Sequence, residues 1–277
     1  MDVETGAILA LQILALCSIV AALLAYLMRQ SRNASDEYES RNKRHVLVTS
    51  CDTCVGLQIA LALYEGGYKV IVVALSPEAR QASPQDSEVR ARGQIVPLEL
   101  DPTREDSLRG CLDAVRAKLP AGEDGLWAVV HTGGLALPGV IERQPSSAWE
   151  SMLRHNLVAP LRTARAFIPL LRAKRGRIVL LGDSVASYGA KAGTGLVAFS
   201  ASRKAVEGAA EALKCELQSS GVDVVLLKPP PVNPLILYNS SVGESAAERR
   251  RLSKRVCRYT QDLIKIAMGY VSASNTA

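Results

Sequence analysis

Histidine is scarce in this chain, three residues in 277, and the six cysteines are scattered except for one pair. His45, His131 and His155 have no partners at ligand spacing, so no metal centre is expected. Cys17, Cys51, Cys54, Cys111, Cys215 and Cys257 lack the regular spacing of a disulfide-stapled domain. Aromatic residues make up only 4% of the chain. Without an aromatic platform or a nucleic-acid motif, the net charge of +6 does not point to a nucleic-acid partner. No internal repeat is present. Basic residues are missing altogether before Arg29, where a cleaved signal peptide would carry them.

What the first residues do have is a long apolar run. Ala7 to Met28 carries no charge, and at about 1.5 Å per residue it covers roughly 33 Å of helix, enough for a hydrocarbon core. Asp2 and Glu4 precede it, while Arg29, Arg32, Arg41, Lys43 and Arg44 follow it. This asymmetry predicts a single-pass anchor over residues 1–30 with the remaining chain in the cytosol. The sequons at Asn33 and Asn239 matter only in the opposite orientation. Residues 31–44 read as a polar tether, 45–234 as the folded domain and 235–277 as a basic C-terminal region.

From His45 onward, β-branched runs alternate with helical periodicity. HVLVTS at His45 to Ser50 reads as a buried parallel strand, Val55 to Tyr64 as a helix ending at Gly66-Gly67, and Tyr68 to Ala74 as a second strand. Leu75 to Gly93, rich in Ser, Pro, Gln and Arg, is an irregular connection. Gln94 to Leu100, Leu126 to His131, Arg177 to Leu181 and Val222 to Lys228 read as four further strands. Glu105 to Lys118, Ser146 to Lys174 and Thr194 to Ser220 read as helices. Six strands alternating with helices predict an α/β fold, a doubly wound parallel sheet of Rossmann type. Past Pro234 no seventh strand is expected.

Within that frame several words occur in order: TSCDTCVG at Thr49 to Gly56, LELDPTRED at Leu98 to Asp106, LWAVVHTGG at Leu126 to Gly134, HNLVAPLRTARAFIPLL at His155 to Leu171, and FSASR at Phe199 to Arg203. Over Lys43 to about Pro234 the chain resembles the short-chain dehydrogenase/reductase family. Within it, the similarity is to the membrane-anchored retinol, 17-beta-hydroxysteroid and 3-hydroxybutyrate dehydrogenase group. The resemblance implies NAD or NADP as cofactor, a lipophilic alcohol or ketone as substrate, and the endoplasmic reticulum as the membrane. It assigns the catalytic tetrad to Asn156, Ser184, Phe199 and Arg203. It assigns the cofactor contacts to Thr49, Ser50, Cys54, Gly56, Asp101, Gly133 and Pro229.

Several of these positions depart from the family pattern. Phe199 and Arg203 replace the tyrosine and lysine of the YSASK word. In similar enzymes the hydroxyl passes a proton to or from the substrate oxygen, and a cation one turn away lowers its pKa. Phe199 has no proton to give, and Arg203 offers a planar fork in place of a compact ammonium. Ser50 and Cys54 stand for two of the three glycines that let the backbone approach a pyrophosphate, and only Gly56 remains. His131, Thr132, Gly133 and Gly134 stand for NNAG, and Pro229-Pro230 for the Pro-Gly turn beside the nicotinamide. Ala74 offers no carboxylate to an adenosine ribose.

Cofactor binding is therefore expected to be weak or lost. The chain is expected to be a catalytically impaired, membrane-anchored relative that binds a lipophilic ligand or a partner, with membrane lipid and a homodimer as further associations. One rival is an active NAD(P)-dependent oxidoreductase on a retinoid, steroid or other lipophilic alcohol, with Tyr188 or a near-neutral His131 as substitute proton donor. The other is a thiol redox module on Cys51 and Cys54 at a helix N-terminus. At the C-terminus, Leu252, Val256, Tyr259, Leu263, Ile266 and Tyr270 share one helical face. Arg250, Arg251, Lys254, Arg255, Arg258 and Lys265 share the other, the pattern of a helix lying on anionic lipid.

Overall fold

The computed structural model describes residues 16, 18–20, 22–26, 28, 40–51, 53–74, 95–183, 195–228 and 233–238, and for Cys54, Ala74, Ile95, Val96, Pro97 and Ile236 the backbone alone. By its contacts the chain divides into residues 1–43 and 44–277. In the first unit the described residues from Leu16 to Met28 are helical, and Leu16, Ile19, Leu23 and Leu24 are exposed. Among the described residues no helix is long and apolar enough to cross a membrane. Residues 7–15 of the expected span lie outside the described residues.

The second unit is built on six parallel strands: β1 His45–Val48, β2 Lys69–Ala74, β3 Ile95–Glu99, β4 Ala128–His131, β5 Arg177–Leu181 and β6 Asp223–Leu227. Their order across the sheet is β3-β2-β1-β4-β5-β6. Between them run α1 Cys54–Glu65, α2 Glu105–Lys118, α3 Ser146–Leu153, α4 Ala159–Lys174 and α5 Val197–Leu217, and a short α6 Pro234–Tyr238 follows β6. Successive strand residues face opposite sides. Val46, Val48, Val130 and Val179 thus join one core with Val55 and Ile59 of α1. Leu47, Val129, Ile178 and Leu180 join the other with Leu108 of α2 and Phe167 of α4. Burial on both faces is what parallel strands require, and it explains their continuous apolar runs.

The helix expected over Ser146 to Lys174 is not one α-helix. A π turn, Arg154–Val158, separates α3 from α4. Pro160 explains the interruption: it has no N–H to return to the carbonyl of Asn156, four residues back, so the regular ladder fails there. The widened turn carries Asn156 fully buried into the interior.

At the amino edge of the sheet, two guanidinium groups lie against the Trp127 ring, Arg44 at 4.7 Å and Arg177 at 4.5 Å from its centroid. Tyr68 stacks on the same ring at 5.5 Å.

Candidate active site

Strand order reverses between β1 and β4, which pair through Val46 with Ala128 and Val48 with Val130. The crevice outside their carboxyl ends is where this architecture places ligands. Thr49 and Thr132 tie its walls together: Thr49 Oγ1 accepts from the Thr132 N–H at 3.2 Å, and Thr132 Oγ1 donates to the Thr49 carbonyl. Ser50 then takes the left-handed conformation, φ 53°, at the position where the family word has glycine. Thr53 caps α1 by accepting from the Gly56 N–H at 3.1 Å and donating to the Ser50 carbonyl at 2.8 Å. A Cβ at Gly56 would lie 2.3 Å from that carbonyl oxygen, so only glycine lets α1 close onto the turn. The first turn of α1 holds no acidic residue.

Cys51 directs its thiol at the Val48 carbonyl, 3.4 Å away, and at the Gly56 carbonyl, 3.9 Å away. These are the contacts of a protonated donor, whereas redox exchange needs a thiolate. The side chain of Cys54 lies outside the described residues. Asp101 Oδ1 accepts from the Thr103 N–H at 2.9 Å and the Thr103 hydroxyl at 2.6 Å, shaping the entry to α2.

Three of the four tetrad positions are described, and all three are buried. Asn156 Oδ1 accepts from the Leu135 N–H at 2.7 Å, and its Nδ2 donates to the Leu135 carbonyl and to Ser202 Oγ, both at 2.9 Å. Its side chain thus joins the extension of β4 to α5. Phe199 is fully buried, 0% exposed. Arg203, one turn further along α5, is 1% exposed. Its guanidinium points inward, with Nη2 donating to the Gly133 carbonyl at 3.0 Å and Nη1 to the Leu181 carbonyl at 3.4 Å. Burial pulls its pKa down, opposed by Tyr238 and Asp183. Ser184, Tyr188 and Pro229 lie outside the described residues.

One expectation is corrected. His131 does not titrate near neutrality: burial, with Arg203 nearby, pushes its pKa down to about 3. Its Nδ1 meets Thr49 Oγ1 at 3.3 Å. Fully desolvated beside a guanidinium, the ring stays neutral at physiological pH. The other histidines have local partners, His45 on Glu123 at 3.0 Å and His155 on the Ser151 carbonyl at 2.8 Å.

Sequence reasoning missed Tyr238. Its ring lies 4.2 Å from Arg203 Cζ and 5.6 Å from the Phe199 ring. It is 5% exposed, and burial raises its pKa, with Arg203 opposing. An aromatic residue in the run PLILY past the last strand was the only available signal.

A doubly wound sheet in this order, with a capped helix N-terminus at the switch point, defines the dinucleotide-binding class of α/β proteins. Residues 44–242 match the family profile described as short chain dehydrogenase, and the chain belongs to that family. Among curated relatives it is similar to human short-chain dehydrogenase/reductase family 9C member 7, 26% identical over 222 residues, covering 80% of this chain and 67% of that protein. It is similar also to mitochondrial D-beta-hydroxybutyrate dehydrogenase of Rattus norvegicus, 24% identical, covering 72% of this chain and 57% of the relative. The chain therefore spans about three fifths to two thirds of the length of these relatives. Among solved structures, a short-chain dehydrogenase from Streptomyces avermitilis matches with a TM-score of 0.62 at 20% identity, covering 81% of this chain and 84% of that one. A short chain dehydrogenase from Shigella flexneri, complexed with NADP, matches with a TM-score of 0.58 at 25% identity, covering 67% and 76%.

Proposed function

We propose that this chain is a membrane-anchored short-chain dehydrogenase relative in which hydride transfer is impaired, and that it binds a lipophilic ligand or a partner. One observation carries the reading. The position that would supply a proton is Phe199, without a hydroxyl and fully buried, and the cation one turn away spends its donors on the carbonyls of Gly133 and Leu181. General acid–base chemistry needs a titratable group within reach of the substrate oxygen.

Toward a nicotinamide dinucleotide the residues divide. At the pyrophosphate end, the first turn of α1 holds no acidic residue and Gly56 keeps the turn tight. The nicotinamide end does not fit, because Tyr238 covers Arg203 there. The NADP complex of the Shigella flexneri structure supports a dinucleotide as the ligand class of this crevice. Ser50 and Cys54, in place of glycines, support low affinity. The apolar run of residues 7–28 and its basic flank support an anchor, with the domain facing the cytosol at the endoplasmic reticulum. The basic face of residues 250–265 supports anionic lipid as a second membrane contact.

The relatives' names favour a second reading, an active oxidoreductase on a lipophilic alcohol or hydroxy acid: one is a D-beta-hydroxybutyrate dehydrogenase and another, from Bos taurus and 29% identical, a 17-beta-hydroxysteroid dehydrogenase type 6. Calorimetric titration of the full-length chain in detergent with NADH and NADPH, beside an alcohol-oxidation assay, decides between them. The impaired site predicts dissociation constants weaker than low micromolar, a binding energy short of about −8 kcal/mol. It also predicts turnover at background, even in the Phe199→Tyr/Arg203→Lys double variant. Low-micromolar binding with robust oxidation by the unaltered chain establishes the second reading instead.

A further inference from the structure

Tyr238 closes α6, a short helix whose start is held by Asn233. Asn233 Oδ1 accepts from the Leu235 N–H at 3.0 Å, and its carbonyl accepts from the Leu237 N–H at 3.1 Å. α6 packs against α1, and Leu237 is fully buried in the cluster that contains Val55 and Ile59 of α1 and Phe199 of α5. The short helix thus bridges the crevice, from the helix that flanks β1 to the helix that carries Phe199 and Arg203. On the β4 side, a Cβ at Gly134 would come 2.9 Å from the Tyr238 ring and 1.7 Å from Arg203 Nη2. Only glycine leaves room beneath the pair.

Two polar atoms of this stack are left over. The Tyr238 hydroxyl and Arg203 Nε are buried without a hydrogen-bond partner among the described residues. Burying an unmade hydrogen bond is unfavourable, and phenylalanine would fill the same volume without one. A ring fixed in a core gains nothing from that hydroxyl. A ring that leaves the stack regains water for it and uncovers the edge of the guanidinium.

We infer that Tyr238 is an intramolecular plug: its ring takes the face of Arg203 beyond β4, where the nicotinamide half of a dinucleotide would have to lie, and α6 must withdraw before that half can enter. The inference rests on the weak-cofactor reading above and supplies a steric cause for it, separate from the substitutions in the glycine turn. It also separates the two halves of the ligand. ADP, which lacks the nicotinamide, meets the N-terminus of α1 and does not compete with Tyr238.

The test uses the full-length chain and its Tyr238→Ala, Tyr238→Leu and Tyr238→Phe variants, each titrated with NADH and with ADP. The plug predicts an NADH dissociation constant at least tenfold lower in the Ala and Leu variants than in the unaltered and Phe chains, with ADP affinity within twofold throughout. Cooperative melting is checked first, and because Leu keeps more of the apolar packing than Ala, it carries the comparison if Ala unfolds. If neither folds, amide hydrogen exchange over residues 234–238 of the unaltered chain is read instead: faster exchange at saturating NADH supports the plug, and unchanged exchange overturns it. Equal NADH affinity in the unaltered chain and the folded Ala or Leu variant overturns the plug and leaves the weak-cofactor reading standing. Low-micromolar NADH binding by the unaltered chain, tighter than ADP, overturns both.

Discussion

His131 ends β4 inside the protein, with Thr49 on one ring nitrogen and, among the described residues, nothing on the other. Its folded pKa is pushed down to about 3 by burial and then by Arg203, while in the unfolded chain it lies near 6.5. Between those values the unfolded state takes up a proton that the folded state refuses. Stability therefore falls as pH drops through that window, and above it this residue contributes no pH dependence. Replacing His131 with Asn is expected to remove a slope approaching about 1.4 kcal/mol per pH unit from urea unfolding between pH 7 and pH 5. His45, also depressed by burial, remains in both proteins, so the difference isolates His131; equal slopes contradict the assignment. At this scale the sequence was partly informative. Phe199 and Arg203, four apart on one helix face, read as an altered dyad only through the resemblance to the YSASK word. Tyr238 gives only the weak signal of an aromatic residue past the last strand, because its contact with Arg203 crosses from a different element and has no local periodicity.

Among the secondary elements, α2 and β5 keep the bounds expected from sequence, Glu105–Lys118 and Arg177–Leu181. Each begins or ends where polar and apolar residues change abruptly. The π turn at Arg154–Val158 was not read from the sequence, since a single widened turn keeps helix on both sides of it. Pro160 was its only written trace. The join of β1 to α1 is tighter than sequence suggests, for a Cβ at Gly56 would meet the Ser50 carbonyl oxygen at 2.3 Å and Thr132 Oγ1 at 2.7 Å. Gly56→Ala is expected to destabilise by about 1–3 kcal/mol or more, because backbone must move to admit the methyl group. Gly110, in α2, has nothing within 4 Å of its Cβ position. Gly110→Ala is expected to stabilise by roughly 1 kcal/mol through helix propensity. Thermal melts of the two variants should therefore shift in opposite directions, and a shared direction would refute the packing argument at Gly56.

For the whole molecule, strand–helix alternation foretold a parallel doubly wound sheet, and the order β3-β2-β1-β4-β5-β6 came from the structure. A peptide of residues 244–277 is expected to become helical on anionic vesicles and not on neutral ones, and to be released by high salt. Changing Arg250, Arg251, Lys254, Arg255 and Arg258 to Gln should weaken binding at least a hundredfold, at about 1 kcal/mol per basic residue. Equal partition of both peptides would discard the lipid contact. The closure of the crevice by α6 has a consequence of another kind. An enzyme whose empty site is hollow is stabilised by its ligand through mass action, so its cellular lifetime follows the supply of that ligand. If α6 is the plug proposed above, a chain that packs Leu237 and Tyr238 into its own core would gain little stability from a nicotinamide dinucleotide, and its abundance is expected not to follow the supply of that ligand.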